Sequence, residues 1–212
     1  TENAAQALRQ EGIDPSKIHV VGNTCIDTLL QTVEHMPAPS QQTGRLILLT
    51  AHRRENFGQP LQNIFNAVLQ ILEQHPDVRV LSPVHPHPNV QQLARTMLSK
   101  HPRIELVAPL DYFDFVAVMQ AAHLILTDSG GVQEEAPALG KPVLVLRQTT
   151  ERPEPVVEGV AKLVGTDQAE IVRQVERLLN DADHYQSMAR VCMPYGDGTA
   201  GVKLAQLLAC QP

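Results

Sequence analysis

Tryptophan is missing from this chain, and aromatic residues of all kinds make up only 3% of its 212 residues. The formal net charge is −6. With no stacking platform and no basic stripe, nucleic-acid binding is not expected. Cysteine is scarce too: Cys25, Cys192 and Cys210 stand far apart, are odd in number and form no C-x-x-C pair. That pattern argues against a disulfide framework and a zinc site, and for a reducing, cytoplasmic compartment. No apolar run approaches the ~20 residues of a membrane-spanning helix, and no charged-then-apolar leader opens the chain, so no membrane partner is expected. Neither the GxGxxG dinucleotide fingerprint nor the GxxxxGK[ST] P-loop occurs. Redox-dinucleotide and ATPase readings therefore lose their usual support, and neither a cofactor nor a metal is expected.

What is present reads as one α/β unit. A chain of this length can bury roughly 70% of its unfolded surface and needs no staple. It opens on Thr1 rather than Met, in a segment (TENAAQALRQEG) that already looks helical, so a fragment of a longer protein is expected. Strand-like runs recur at Ile18–Val21, Arg45–Thr50, Val78–Ser82, Arg103–Val107, His123–Thr127, Pro142–Leu146 and Ala161–Val164. Helix-length stretches separate most of them, which predicts a parallel, doubly wound sheet. Leu61, Ile64, Phe65, Val68, Leu69 and Leu72 repeat at helical spacing, as do Ile171, Val172, Val175, Leu178 and Leu179, and both sets read as core faces. The one linker-like stretch runs from Pro37 to Gly44. It separates a lead-in (1–36) of helix, strand and helix from the main unit (37–212).

The run His123-Leu124-Ile125-Leu126-Thr127-Asp128-Ser129-Gly130-Gly131-Val132-Gln133-Glu134-Glu135 carries the most chemistry. A buried strand ends in small residues and turns into a helix. Ser129, Gly130 and Gly131 leave the backbone open where free N–H groups and the positive end of the helix dipole point outward, so a phosphate is the expected guest. Glu135, about one turn further on, accepts hydrogen bonds and offers none when ionised, which suits a sugar diol. A nucleoside phosphate fits both. The plain alternative is that Ser caps and Gly turns with no ligand at all.

Ligands of such sheets collect at the carboxyl ends of the strands, and three polar loops fall there: His52-Arg53-Arg54-Glu55-Asn56, Pro83 to Pro88, and Arg147 to Arg152. A lone loop His or Arg is usually solvated, but several loops converging with the Ser-Gly-Gly turn favour a site. His85 and His87, alternating with prolines, are a weak metal signal. Glu134 is expected to be solvated, Asp111 to cap a helix, and Phe115 either to pack in the core or to wall a base.

The His-Arg-Arg-Glu-Asn loop (52–56) and Ser-Gly-Gly-Val-Gln-Glu-Glu (129–135), with Val21-Gly22-Asn23-Thr24-Cys25-Ile26-Asp27 and Gly140-Lys141-Pro142-Val143-Leu144, resemble the UDP-N-acetylglucosamine 2-epimerases. The likeness is greatest to the bacterial non-hydrolysing branch. It runs over essentially the whole chain but covers only half of a family member. It implies two Rossmann-like domains in the glycosyltransferase-B arrangement, of which this is the carboxyl-terminal, UDP-binding one, preceded by a lead-in from the interdomain region.

By the same resemblance, Ser129, Gly130 and Gly131 hold the diphosphate and Glu135 takes the ribose hydroxyls. Leu110 (main chain) and Phe115 lie along the uracil, and Arg152 is a further nucleotide contact. His52 is catalytic, and His85 belongs to a regulatory sugar-nucleotide pocket. The implied reaction inverts carbon 2 of the sugar by eliminating UDP to a glycal and adding it back from the other face, for cell-surface polysaccharide. The catalytic carboxylates are expected in the other domain, so this chain alone is expected to be inactive, and the full-length protein is expected to be a homodimer. Competing expectations are a UDP-sugar glycosyltransferase half-domain, a non-catalytic UDP-binding module, and a structural domain with no ligand.

Overall fold

The computed structural model describes residues 1–37 and 44–209. The linker expected between Pro37 and Gly44 falls on residues 38–43, and Cys210 follows Ala209, so both lie outside the described residues. The chain divides into two compact units, one of residues 1–36 with 193 onward and the other of residues 37–192. The main unit was expected to run to residue 212. The segment from Met193 groups instead with the lead-in, for reasons of hydrogen bonding.

In the first unit, α1 (Glu2–Gln10) is capped by the Thr1 hydroxyl and α2 (Thr24–Glu34) by the Asn23 side chain. Ile26 and Leu29 of α2 are fully buried. The Asn23 N–H donates to the Tyr195 carbonyl at 2.6 Å. The Asp27 carboxylate accepts from the N–H groups of Ala200 and Gly201 at 3.1 and 2.7 Å, at the start of helix Ala200–Ala209. An acidic side chain at a helix start satisfies donors that have no partner within the helix, and this ties the last segment to α2. The strand expected at Ile18–Val21 does not form: a 3₁₀ turn, Pro15–Lys17, leads into irregular chain there. β-branched residues fit a strand only where a neighbouring strand pairs with them, and no strand of the described residues does.

The second unit holds six strands: β1 (Arg45–Thr50), β2 (Val78–Pro83), β3 (Ile104–Val107), β4 (Leu124–Thr127), β5 (Val143–Val145) and β6 (Ala161–Leu163). They form one sheet in the order β3-β2-β1-β4-β5-β6, with every neighbouring pair parallel. This Rossmann-like, doubly wound order reverses direction between β1 and β4. The helices between strands are α3 (Gln59–Gln74), α4 (Pro88–Leu98), α5 (Tyr112–Ala121), α6 (Gly130–Glu135) and the one-turn α7 (Glu154–Val157); α8 (Gln168–Asn180) and α9 (Ala182–Met188) follow β6.

Alternation along the strands accounts for the continuous apolar runs. Ile47 and Leu49 of β1 and Leu124 and Leu126 of β4 join one cluster with Ile64 and Ile71 of α3 and Ile171 and Val175 of α8. Leu48 and Ile125 are equally buried yet lie outside it, and since successive side chains point to opposite faces they occupy the other side of the sheet. Both faces of the central strands are therefore covered, as a parallel sheet requires. Two glycines are needed for their shape. Gly140 ends the turn Ala136–Leu139 in the left-handed region, at φ 67°. A side chain on Gly44 would collide with the Asp77 carbonyl just before β1.

His123, at the mouth of β4, stacks on Tyr185 of α9 with ring centroids 4.2 Å apart and planes within 4°. Burial, helped by Arg45 and Lys141, lowers its pKa from 6.5 to about 4. The unfolded chain protonates this ring near 6.5, so its contribution to stability is complete above that pH and is lost as pH falls toward about 4. A His123→Phe variant, which keeps the stacked ring, should lose less stability than the parent between about pH 7 and about pH 5, as read by urea midpoints. Equal losses in the two proteins would contradict this.

Candidate functional site

The crevice at the sheet reversal is floored by the ends of β1 and β4. Thr50 and Thr127 are register partners there, and their hydroxyls bond at 2.6 Å. The Ser129 N–H donates to the Thr127 hydroxyl at 3.0 Å. Gly130 and Gly131 are the first two residues of α6, so their N–H groups have no acceptor within the helix. α6 has only six residues, and two guanidinium groups lie beside its first turn. A Cβ on Gly130 would meet Arg53 Nη2 at 3.5 Å and the Arg152 guanidinium carbon at 3.9 Å, whereas a Cβ on Gly131 would meet nothing within 4 Å.

A cavity of about 310 Å³ opens beside this turn. Ser129, Gly131 and Glu135 line one side, His52 and His85 another, and Leu110 and Phe115 with nearby prolines form an apolar wall. Most of the residues singled out in the sequence thus share one cavity. Gly130 and Arg152 are not among its lining residues. Arg152 instead pairs with Glu134, which corrects the expectation of a solvated Glu134: that side chain is buried. The short helix packs it inward, and the guanidinium from the loop after β5 reaches over to meet it.

The expected convergence of loops has a visible cause. Arg147, 5% exposed, donates from Nε to Glu55 Oε1 at 2.6 Å and from Nη1 to Glu151 Oε2 at 2.6 Å. The loops after β1 and β5 are thereby joined by one guanidinium, which holds the Glu151 carboxyl down to about 2. His85 stacks on His52, with ring centroids 5.1 Å apart and planes within 12°. His87 accepts from the Asn89 N–H as the cap of α4 and packs against Phe57. Asp111 caps α5, accepting from the Asp114 N–H.

Two ionisable groups of the cavity are shifted. Burial is the main influence lowering the His52 pKa; His85 and Arg53 add to it and Asp128 opposes it. Burial also raises the Glu135 carboxyl, with Glu134 reinforcing the rise, while the hydrogen bond from the Tyr112 hydroxyl to Glu135 Oε1 at 2.8 Å restrains it. Sequence reasoning gave no individual role to Tyr112, Asn56 or Asp128. The buried Asn56 amide donates to Asp128 Oδ2 at 2.9 Å and to the Leu146 carbonyl at 3.1 Å. An acidic residue directly after an apolar strand, in a turn otherwise of small residues, was the available signal for Asp128.

A parallel sheet of this order with a polar crevice at its reversal defines a Rossmann-like α/β domain. The family model described as UDP-N-acetylglucosamine 2-epimerase matches residues 1–209. The chain belongs to that family. A UDP-N-acetylglucosamine 2-epimerase of Bacillus subtilis is 45% identical over 98% of this chain and 56% of its own length. The UDP-GlcNAc 2-epimerase of Neisseria meningitidis, solved bound to UDP-GlcNAc, is 39% identical with a TM-score of 0.94 over 100% of this chain and 60% of that one. The S. aureus MnaA–UDP co-structure is 40% identical with a TM-score of 0.92, over 98% of this chain and 58% of that one. This chain therefore spans less than two thirds of the length of the relatives it matches.

Since the Tyr112 hydroxyl holds the Glu135 carboxyl down, a Tyr112→Phe variant should titrate Glu135 at higher pH than the parent in a carbon-detected NMR titration. An unchanged or lower midpoint would contradict a restraining role for Tyr112.

Proposed function

We propose that this chain, taken with the remainder of its full-length protein, is a non-hydrolysing UDP-N-acetylglucosamine 2-epimerase, an isomerase interconverting UDP-GlcNAc and UDP-ManNAc. Its own share is the UDP half-site. The observation that carries this reading is one cavity bordered by Ser129 and Gly131 of the open turn, a buried carboxylate and a half-buried imidazole. The diphosphate lies on Ser129, Gly130 and Gly131, with Arg53 and Arg152 supplying charge from beside Gly130. Ribose hydroxyls donate to Glu135. Uracil lies along Leu110 and Phe115. His52, with its ring at the cavity wall, donates to an oxygen of the departing phosphate; His85, stacked on it in the same cavity, also serves an adjoining regulatory sugar-nucleotide pocket.

The chemistry is an elimination followed by an addition. The proton on sugar carbon 2 is removed as the bond from carbon 1 to the UDP oxygen breaks, giving a 1,2-unsaturated sugar and free UDP. UDP oxygen then re-forms the bond to carbon 1 while carbon 2 is reprotonated on the opposite face. Donors aimed at the leaving oxygen stabilise the charge that develops there. We assign the proton transfers at carbon 2 to the part of the full-length protein outside this chain.

The His52-Arg53-Arg54-Glu55-Asn56 loop, wired to Arg147, favours the epimerase over a glycosyltransferase half-domain or a regulatory UDP module. We read residues 37–192 as the UDP-binding domain, and the full-length protein as a cytoplasmic homodimer. The free thiol of Cys192 fits a reducing compartment. Among the described residues no helix is long and apolar enough to cross a membrane.

Calorimetry with UDP tests the half-site. The chain should bind UDP saturably, and Glu135→Ala should weaken binding by about 10-fold or more, the value of hydrogen bonds to a charged group. Gly131→Ala should also weaken UDP binding while leaving the thermal midpoint unchanged or raised, because the new methyl meets open space and alanine favours the helix. A folded chain that ignores UDP, or that binds it equally well after both substitutions, would overturn the assignment. Turnover by this chain alone would overturn the division of labour.

A further inference from the structure

Asp128 follows β4 directly and is completely buried. A carboxylate removed from water is tolerated when donors replace the lost solvent. The two oxygens of Asp128 are used unequally. Oδ2 accepts from the His52 N–H at 2.9 Å, the Arg53 N–H at 2.8 Å and the Asn56 side-chain amide at 2.9 Å. Those three bonds fasten the loop that carries His52. Oδ1 is buried with no hydrogen-bond donor among the described residues, and it faces Nδ1 of the His52 ring at 3.5 Å. Fastening the loop needs Oδ2 alone, so a purely architectural role leaves the second oxygen unexplained.

We propose that Asp128 is a positioning residue for His52: Oδ2 fixes the loop, while Oδ1 fixes the imidazole with a proton on Nδ1 and leaves Nε2 as the working nitrogen. This rests on the reading of His52 as the group that acts on departing UDP. A ring nitrogen that holds a proton toward a carboxylate sets the tautomer at the other nitrogen. To donate from Nε2 the ring must carry both protons. The charged and titratable groups that act on it are Asp128, His85 and Arg53. His85 and Arg53 disfavour the doubly protonated ring, and Asp128 favours it. In Asp128→Asn the amide oxygen takes the three-donor position and the NH₂ group is forced to face Nδ1. The neutral ring must then carry its proton on Nε2.

The test is long-range ¹H–¹⁵N NMR of the ¹⁵N-histidine-labelled chain, with His52→Gln used to assign the His52 signals. The neutral ring of the parent should be protonated on Nδ1, that of Asp128→Asn on Nε2, and the variant should titrate at lower pH. Asn56→Ala, which removes a donor to Oδ2 and to the Leu146 carbonyl but leaves Oδ1 untouched, should keep the Nδ1 proton. That variant and the parent spectrum keep the test decisive even where Asp128→Asn folds poorly. A parent ring protonated on Nε2, or a variant with the parent's tautomer and midpoint, would overturn the proposal.

In the full-length enzyme, Asp128→Asn should lower kcat by about 100-fold or more, the scale of general acid–base catalysis, with KM little changed and the activity limb moved to lower pH. A change confined to KM would overturn a role through His52. A tautomer switch without loss of turnover would keep the positioning and remove the catalytic reading of His52, so the two ideas fail separately.

Discussion

The parallel pairing of β1 with β4 is the constraint from which the rest follows. These strands are buried on both faces, so their register is fixed by packing on each side. Their partner on the far side differs, β2 for one and β5 for the other, so the connections leaving their carboxyl ends diverge and open a crevice. The ladder continues one step past the strands, where the Asp128 N–H donates to the Thr50 carbonyl at 3.0 Å. That bond sets Asp128 beneath the loop from β1, and so sets the loop itself.

Electrostatics in the crevice are a balance between desolvation and a few fixed charges. Burial disfavours the charged form of both side chains, lowering the His52 pKa and raising that of Glu135. Asp128 opposes the first tendency and the Tyr112 hydroxyl the second. Arg53 and Arg152 bring positive charge beside Gly130 at the Ser-Gly-Gly turn, and part of the Arg152 charge is already answered by Glu134. The polar side of the crevice is therefore built by loops from three strands, held together through Arg147 as well as through Asp128.

The sheet was legible because period-two burial on both faces leaves unbroken apolar runs such as Leu46 to Leu49, and because turns of small residues follow them. The run Ile18–Val21 carried the same signal without a partner strand, and nothing local distinguishes the two cases. Ser129, Gly131, Glu135, His52 and Phe115 could be picked out because their residue types announce chemistry at strand ends. Glu134 was misread because its neighbour in space, Arg152, lies in a different loop, and ion pairs across loops leave no spacing in sequence. Asp128 and Asn56 were passed over for the same reason. Their importance lies in what they bond to, and that is set by the register of β1 on β4.

The central claim, that the crevice at the sheet reversal is a UDP half-site, is met most directly by amide chemical-shift mapping of the ¹⁵N-labelled chain as UDP is added. The signals of Ser129 to Val132 and of Leu110 should move saturably, while those of Ala161 to Leu163 at the sheet edge stay in place. Shifts centred elsewhere, or none at saturating UDP, would contradict the account.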